Sequence, residues 1–150
     1  MVALWTPDQP LPDLPSMLSW VTDHIAISSY EQACAEDLLK AEGVEAIISI
    51  GELAPRTTLQ HIHFANVPDR EHLDVVTVLR IVTTIRSWAQ RKNVLVHCAA
   101  GVSRSPAFVA GALCWHGDWD AAKALVLKGR PIAKMDPVTE ASVRAAVERR

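Results

Sequence analysis

Apolar positions along the 150-residue chain switch between two spacings, and the switches mark short strands between longer helices. Ile25 and Ile27 alternate with Ala26, which predicts a short strand over His24–Ile27. Ser29 followed by Gln32 is a capping-box pattern, predicting a helix from Tyr30 to Ala41 with Leu38 and Leu39 inward and Gly43 beyond its end. Cys34 falls on that helix, where a buried or half-buried place is expected. Val44–Ile50 reads as a buried strand ended by Gly51, with a loop over Glu52–Thr58 and another strand over Gln60–Val67. Leu73, Val76, Leu79, Val82, Ile85 and Trp88 predict a long helix ending near the basic pair Arg91 and Lys92. Val94–Val96 predicts a buried strand running to His97, and the mainly apolar Pro106–Trp115 a central buried helix stopped by Gly117. On that helix Gly111 and Ala112 would let a neighbour approach closely, and Cys114 would pack as a hydrophobe. Asp118 or Asp120 can cap a helix over Trp119–Lys128, ended by Gly129. The last helix, Val138–Glu148, is amphipathic through Val138, Val143 and Val147, with a solvated arginine-rich end.

Strands alternating with helices imply an α/β fold: a single domain with a central, mostly parallel sheet of about four to five strands flanked by helices. Pro7, Pro10, Pro12 and Pro15 exclude helix at the start, so residues 1–18 are expected as a proline-rich extended arm and residues 19–150 as the domain. Hydrophobic residues at 49% and charged residues at 21% describe a globular chain. A net charge of -2 supplies no footprint for nucleic acid and no pull toward an anionic membrane, so neither partner is expected, and the chain is read as a monomer. No signal-peptide pattern opens the chain, and Pro106–Trp115 is too short to span a bilayer. Cys34, Cys98 and Cys114 form no CxxC pair, which argues against a disulfide scaffold or zinc site and for a reducing cytoplasm. His61 and His63 share a strand face but lack a third ligand nearby, so they are read as structural, with no metal and no cofactor expected.

The chemistry is concentrated in Asn93–Phe108. A buried strand leads through His97 and Cys98 into the small-residue loop Ala99, Ala100, Gly101, Val102 and Ser103, and on to Arg104, Ser105 and Pro106. A strand end, tight loop and helix N-terminus aim backbone N–H groups at one point, and such a cradle binds an anion. Cys98 supplies a nucleophile, and the cradle, the helix N-terminus and Arg104 all favour its thiolate. Arg104 adds a planar fork that matches two phosphoryl oxygens, a geometry lysine lacks. In-line attack by the thiolate on phosphorus would give a phosphocysteine. The Ser105 hydroxyl can reach the sulfur, and Ser105 is also placed to cap the helix that Pro106 opens. Asp69, between Pro68 and the long helical pattern, reads either as a helix cap or as the acid that protonates the leaving oxygen and then activates water. The acid reading is preferred, with Asp74 as its fallback.

His97-Cys98-Ala99-Ala100-Gly101-Val102-Ser103-Arg104-Ser105 resembles the signature loop H-C-x-x-G-x-x-R-S of the cysteine-based protein tyrosine phosphatase superfamily, at every fixed position. Val67-Pro68-Asp69, Arg130-Pro131-Ile132 and the compact length resemble its dual-specificity (DSP-like) branch. The resemblance implies a metal-independent protein phosphatase with Cys98 as nucleophile, Arg104 as phosphate clamp, Asp69 as acid and base, and Ser105 helping the thiolate leave. It further implies that the Ala99–Ser103 N–H groups hold the phosphate, and that His97 bonds to the loop backbone without acting as an acid. Asp69 stands 29 positions before Cys98, close to the family's spacing. Arg130–Pro137 resembles the loop that buttresses the signature, but Asp136 stands where asparagine is usual and no aromatic residue follows. Family members that take phosphoinositides carry lysines in the signature loop, and here Ala99, Ala100, Val102 and Ser103 stand there, which implies phosphotyrosine and phosphoserine/threonine proteins as substrates. No segment resembles the tyrosine-recognition loop of the larger enzymes, which implies a shallow pocket. An RNA 5′-triphosphatase or another non-protein phosphatase would call for a different rim, the former a basic groove. A non-catalytic phosphate-binding module would not need both Cys98 and Arg104, and a sulfurtransferase would not need Asp69, His97 or Ser105.

Overall fold

The computed structural model describes residues 18–115 and 117–149, so residues 1–17 of the expected arm lie outside the described residues. Its elements are β1 (Ser19–Trp20), β2 (Ile25–Ser28), α1 (Tyr30–Ala33), α2 (Glu36–Ala41), β3 (Ala46–Ile50), β4 (Gln60–Phe64), α3 (Val75–Ala89), β5 (Val94–His97), α4 (Arg104–Cys114), α5 (Trp119–Gly129) and α6 (Pro137–Arg149). The five-stranded sheet has the order β1-β2-β5-β3-β4. The four strands β2, β5, β3 and β4 are parallel, and β1 joins antiparallel at one edge, pairing Ser19 with Ile27. This is the mostly parallel α/β sheet that the strand and helix pattern implies. β1 escaped the sequence reading because two residues show no periodicity.

Each sheet face has its own core. Ile25, Ile27, Ile48, Ile50, Val94 and Val96 pack under α3, α4, α5 and α6. Ala26, Ile47 and Leu95 face the other way, against Leu18, Ala33, Leu39 and Val44. Two fully covered faces explain why the central strands read as apolar runs.

Four helix expectations are corrected. The helix foreseen over Tyr30–Ala41 is two helices, with Cys34 capping the first and Ala35 opening the second. In one continuous helix Ala33 and Leu39 would point about 120° apart; the break lets both meet the sheet, where both are buried. It also turns Cys34 out to solvent, against the expectation of burial. The Ser29–Gln32 capping box is present. α3 buries Val78, Ile81, Val82 and Ile85, while Val76 is exposed. A strict three-residue spacing drifts by about 60° per step around a helix, so it cannot mark one face. In α6 Val138 stands five positions before Val143, about 140° around the helix, so it is exposed while Thr139, Ser142, Val143, Ala146 and Val147 are buried. Gly111 is where α4 meets its neighbours: a Cβ there would lie 2.7 Å from Val143 and 3.1 Å from Val82. Finally, α4 begins at Arg104, earlier than Pro106, with Ser103 at the cap position.

Candidate active site

β5 brings His97 and Cys98 to the carboxyl end of the sheet, the usual place for a site in a parallel α/β fold. Cys98 is 3% exposed and lines a cavity of about 460 Å3, together with Asp69, Arg70, Arg104, Lys134 and Asp136.

The shape of the loop follows from where its carbonyls go. The Cys98 carbonyl accepts from His97 Nδ1 at 2.8 Å. That of Ala99 accepts from the Tyr30 N–H at 2.8 Å, that of Val102 from the Lys134 N–H at 2.7 Å, and that of Ser103 from the Ala107 N–H at 3.1 Å. Arg130 takes two more, donating from Nη2 to Ala100 O at 3.2 Å and from Nε to Gly101 O at 2.5 Å. Six consecutive carbonyls, Cys98 to Ser103, are thus occupied from outside the cavity. A planar trans peptide places each N–H opposite its carbonyl, so the intervening N–H groups turn inward. The N–H groups of Ala99–Ser103 have no acceptor among the described residues. Gly101 (φ +70) is required, because a Cβ there would collide with the Ser28 carbonyl and the Arg130 guanidinium. Burial pulls Arg130 below the ordinary arginine pKa, against the field of Cys98.

The Cys98 sulfur meets the Ser105 hydroxyl at 3.2 Å and the Ser105 N–H at 3.5 Å. Ser105 is inside the helix and does not cap it, which corrects the cap reading. Ser103, at the cap position, uses its hydroxyl elsewhere: it donates to Asp69 Oδ1 at 2.9 Å and accepts from the Asp136 N–H at 2.9 Å. Thr139 donates to the same Asp69 oxygen at 2.8 Å. Two hydroxyls therefore hold Oδ1, and Oδ2 has no hydrogen-bond partner among the described residues. Asp69 is not a helix cap. Asp74 is, accepting from the N–H groups of Val76 and Thr77 at 3.1 and 3.2 Å, so its side chain is committed to α3.

Arg104 is 7% exposed, and its Nη1 donates to Glu52 Oε2 at 2.8 Å and to the Val67 carbonyl at 3.1 Å. Burial opposes the charge, but the Glu52 hydrogen bond and the fields of Cys98 and Asp69 hold Arg104 above the ordinary arginine pKa. In return the Arg104 hydrogen bond holds Glu52 down to about 2. Glu52 is the residue the sequence reading passed over as loop. Its signal was positional: it stands just past β3, a parallel neighbour of β5, at the same sheet end as Cys98. Gly51 (φ +106) has a structural purpose beyond ending β3, because a Cβ would run into the Arg104 guanidinium.

Behind the loop, His97 is fully buried, and burial pulls its pKa down to about 4 despite the hydrogen bond to Cys98. Its Nε2 lies 2.6 Å from Ser49 Oγ, which lies 2.8 Å from His61 Nε2. His63 Nε2 donates to the Gly51 carbonyl at 2.6 Å. The two strand histidines are each committed to a hydrogen bond, and no group of three metal-ligating side chains occurs among the described residues.

The geometry thus joins a cysteine sulfur, a ring of inward N–H groups, a clamped guanidinium and a carboxylate on one cavity. Comparison with known proteins adds to this. The family model described as protein-tyrosine phosphatase matches residues 24–117. The tyrosine-protein phosphatase yvh1 of Schizosaccharomyces pombe is 28% identical over 119 residues, covering 76% of this chain and 36% of that protein. The chain therefore spans about a third of the length of that relative. Among solved structures, a mouse protein assigned as a dual specificity phosphatase and crystallised with zinc tungstate superposes with a TM-score of 0.83 at 19% identity, covering 94% of this chain and 92% of that one. Human DUSP28 superposes with a TM-score of 0.79 at 20% identity, covering 91% and 96%. At such identities the superpositions establish a shared fold.

Proposed function

The chain belongs to the protein-tyrosine phosphatase family, and from that premise we propose that it hydrolyses phosphotyrosine and phosphoserine/threonine monoesters on proteins through a phosphocysteine intermediate. The observation that carries the reading is the outward turn of all six carbonyls from Cys98 to Ser103, which leaves inward N–H groups over a sulfur nucleophile. Those groups and Arg104 take the phosphoryl oxygens as charge develops on them. The Cys98 thiolate attacks phosphorus in line, the bond to the leaving oxygen breaks, and Asp69 Oδ2 delivers the proton that oxygen needs. In the second step Asp69 removes a proton from water, water displaces the sulfur, and the Ser105 hydroxyl donates to the departing thiolate at the 3.2 Å contact. No metal takes part in either step. The reaction needs a reduced thiol, which fits the reducing cytoplasm.

The reading is tested with a small aryl phosphate, comparing wild type and Cys98→Ser in the presence of EDTA. Wild-type turnover should survive chelation and Cys98→Ser should lose it, while phosphopeptide binding persists in the variant. Equal turnover in both proteins would end the nucleophile assignment. A phosphopeptide panel then reads residue preference.

A further inference from the structure

We infer that Ser49 and His61 are positioning residues for the Cys98 nucleophile, acting through His97; this rests on the proposed function, which makes Cys98 the reacting group. The directions of the hydrogen bonds follow by elimination. The Cys98 carbonyl can only accept, so the proton of a neutral His97 sits on Nδ1, 2.8 Å from that oxygen. His97 Nε2 is then a lone pair and must accept, and the Ser49 hydroxyl at 2.6 Å donates to it. Having used its proton, Ser49 accepts from His61 Nε2–H at 2.8 Å. The result is one directed string from the edge strand β4, across β3, to the carbonyl of the nucleophile itself.

Packing alone does not account for this string. Ser49 is fully buried in the middle of the otherwise apolar Ala46–Ile50 strand, where an alanine or valine would fill the space without burying a hydroxyl. It lies on the same sheet face as Ile47 and Leu95, opposite His97 in the β3–β5 register. The bond to His61 is diagonal, because the residue directly opposite Ser49 on β4 is His63, whose ring is given to the Gly51 carbonyl. Titratable groups beside the string, among the described residues, include Cys98 itself, His63, stacked on His61 at 6.4 Å between centroids, and Tyr30, 6.2 Å from His97.

The consequence for Cys98 is electrostatic. While His97 Nδ1–H holds the Cys98 carbonyl, that oxygen points away from the sulfur and the following N–H groups point toward it. Without the Ser49 hydroxyl, His97 can place its proton on Nε2. A nitrogen lone pair would then face the carbonyl oxygen, and the loop would rotate to relieve the repulsion. The thiolate would lose part of its donor set.

The test reads the thiol and the ring, not turnover. Iodoacetamide alkylation is followed at Cys98 by peptide mass spectrometry, since Cys34 is exposed and would also react. In Ser49→Ala the ratio of the mildly acidic rate to the mildly alkaline rate should fall by about threefold to tenfold, the range given by one ordinary hydrogen bond. Ser49→Thr, which keeps the hydroxyl, should restore it. His61→Phe should shift the ratio in the same direction by less, which keeps the test decisive if Ser49→Ala folds poorly. In nitrogen-15 spectra the wild type should show His97 protonated on Nδ1 and His61 on Nε2, and Ser49→Ala should lose the first signature. A wild-type ratio and an unchanged His97 tautomer in Ser49→Ala would overturn the inference. Absent phosphatase activity in a wild type that keeps both tautomer signatures and its alkylation ratio would instead overturn the proposed function, and the string would then tune the Cys98 thiol for another reaction.

Discussion

Glu52 governs how Arg104 is presented. A guanidinium that is 7% exposed is costly to bury alone, and Glu52 together with the Val67 carbonyl fixes the plane of its fork. Because Val67 is two residues before Asp69, the same guanidinium also tethers the segment that carries Asp69. Glu52→Gln should therefore lower kcat/KM by about tenfold, or ~1.4 kcal/mol of transition-state binding, and weaken inhibition by vanadate in parallel. Vanadate inhibition as tight as in wild type would show that Arg104 holds its place without the charge. Asp69 is set apart from Asp74 by its partners: two hydroxyls hold one oxygen of Asp69 and leave the other to the cavity, while the oxygens of Asp74 are spent on α3. Asp69→Asn should slow hydrolysis of alkyl phosphates by about a hundredfold or more, and of esters with good leaving groups far less. An equal loss for both classes would assign Asp69 a structural role.

At the scale of elements, the same two aspartates differ in what they hold: Asp74 caps α3, and Asp69 faces the cavity. Asp74→Ala removes the cap of α3 and should cost about 1 kcal/mol of stability with turnover unchanged, read by denaturant unfolding beside steady-state rates. The turn after β3 shows the reverse coupling. Gly51 has a left-handed backbone and lies against the guanidinium of Arg104, with its carbonyl held by His63. Gly51→Ala combines backbone strain with displacement of the clamp, and should cost about 1–2 kcal/mol of stability while raising KM for phosphate esters. Normal KM with lowered stability would mean that Arg104 adapts. α4 contributes through its N-terminus, where Arg104, Ser105 and Pro106 form the first turn; a proline there gives up an N–H that has no partner within the helix.

At the scale of the whole molecule, acid acts on the buried histidines: burial holds both His61 and His97 below the ordinary value, His97 far below it. Its pKa is about 4 in the folded protein against an ordinary 6.5, so between those values the unfolded chain binds more protons than the native one. Stability contributed by neutral His97 is fully present above pH 6.5 and is lost as pH falls through 4, about 3 kcal/mol in all for this one ring. Below 4.5 the depressed carboxyls Glu36, held by Thr57 and Thr58, and Glu52, held by Arg104, add to the loss as pH approaches 2. Thermal melts should fall between pH 6.5 and 4, and His97→Asn should flatten that slope even where it lowers the melting temperature overall. A wild-type slope in His97→Asn would place the acid sensitivity elsewhere.

The pattern of the chain was enough for the parallel α/β architecture, because strands buried on both faces must be apolar throughout and their helices must repeat near 3.6 residues. It also offered Cys98, Arg104 and Ser105 as candidates, since a strand, a small-residue loop and a helix start are local features of sequence, and Asp69 by its spacing from Cys98. Four things required the fold. The break between α1 and α2 depends on two residues both reaching the sheet, and the inward faces of α3 and α6 depend on what packs against them. The choice of Asp74 as the cap left Asp69 free, and only the approach of α6 brought Thr139 to it. Glu52, Ser49 and His61 join the site across strands that are far apart in sequence. A hydrogen bond that spans 48 or 52 positions leaves no local periodicity; the β3–β5 register sets His97 beside Ser49, and the shared sheet end sets Arg104 beside Glu52.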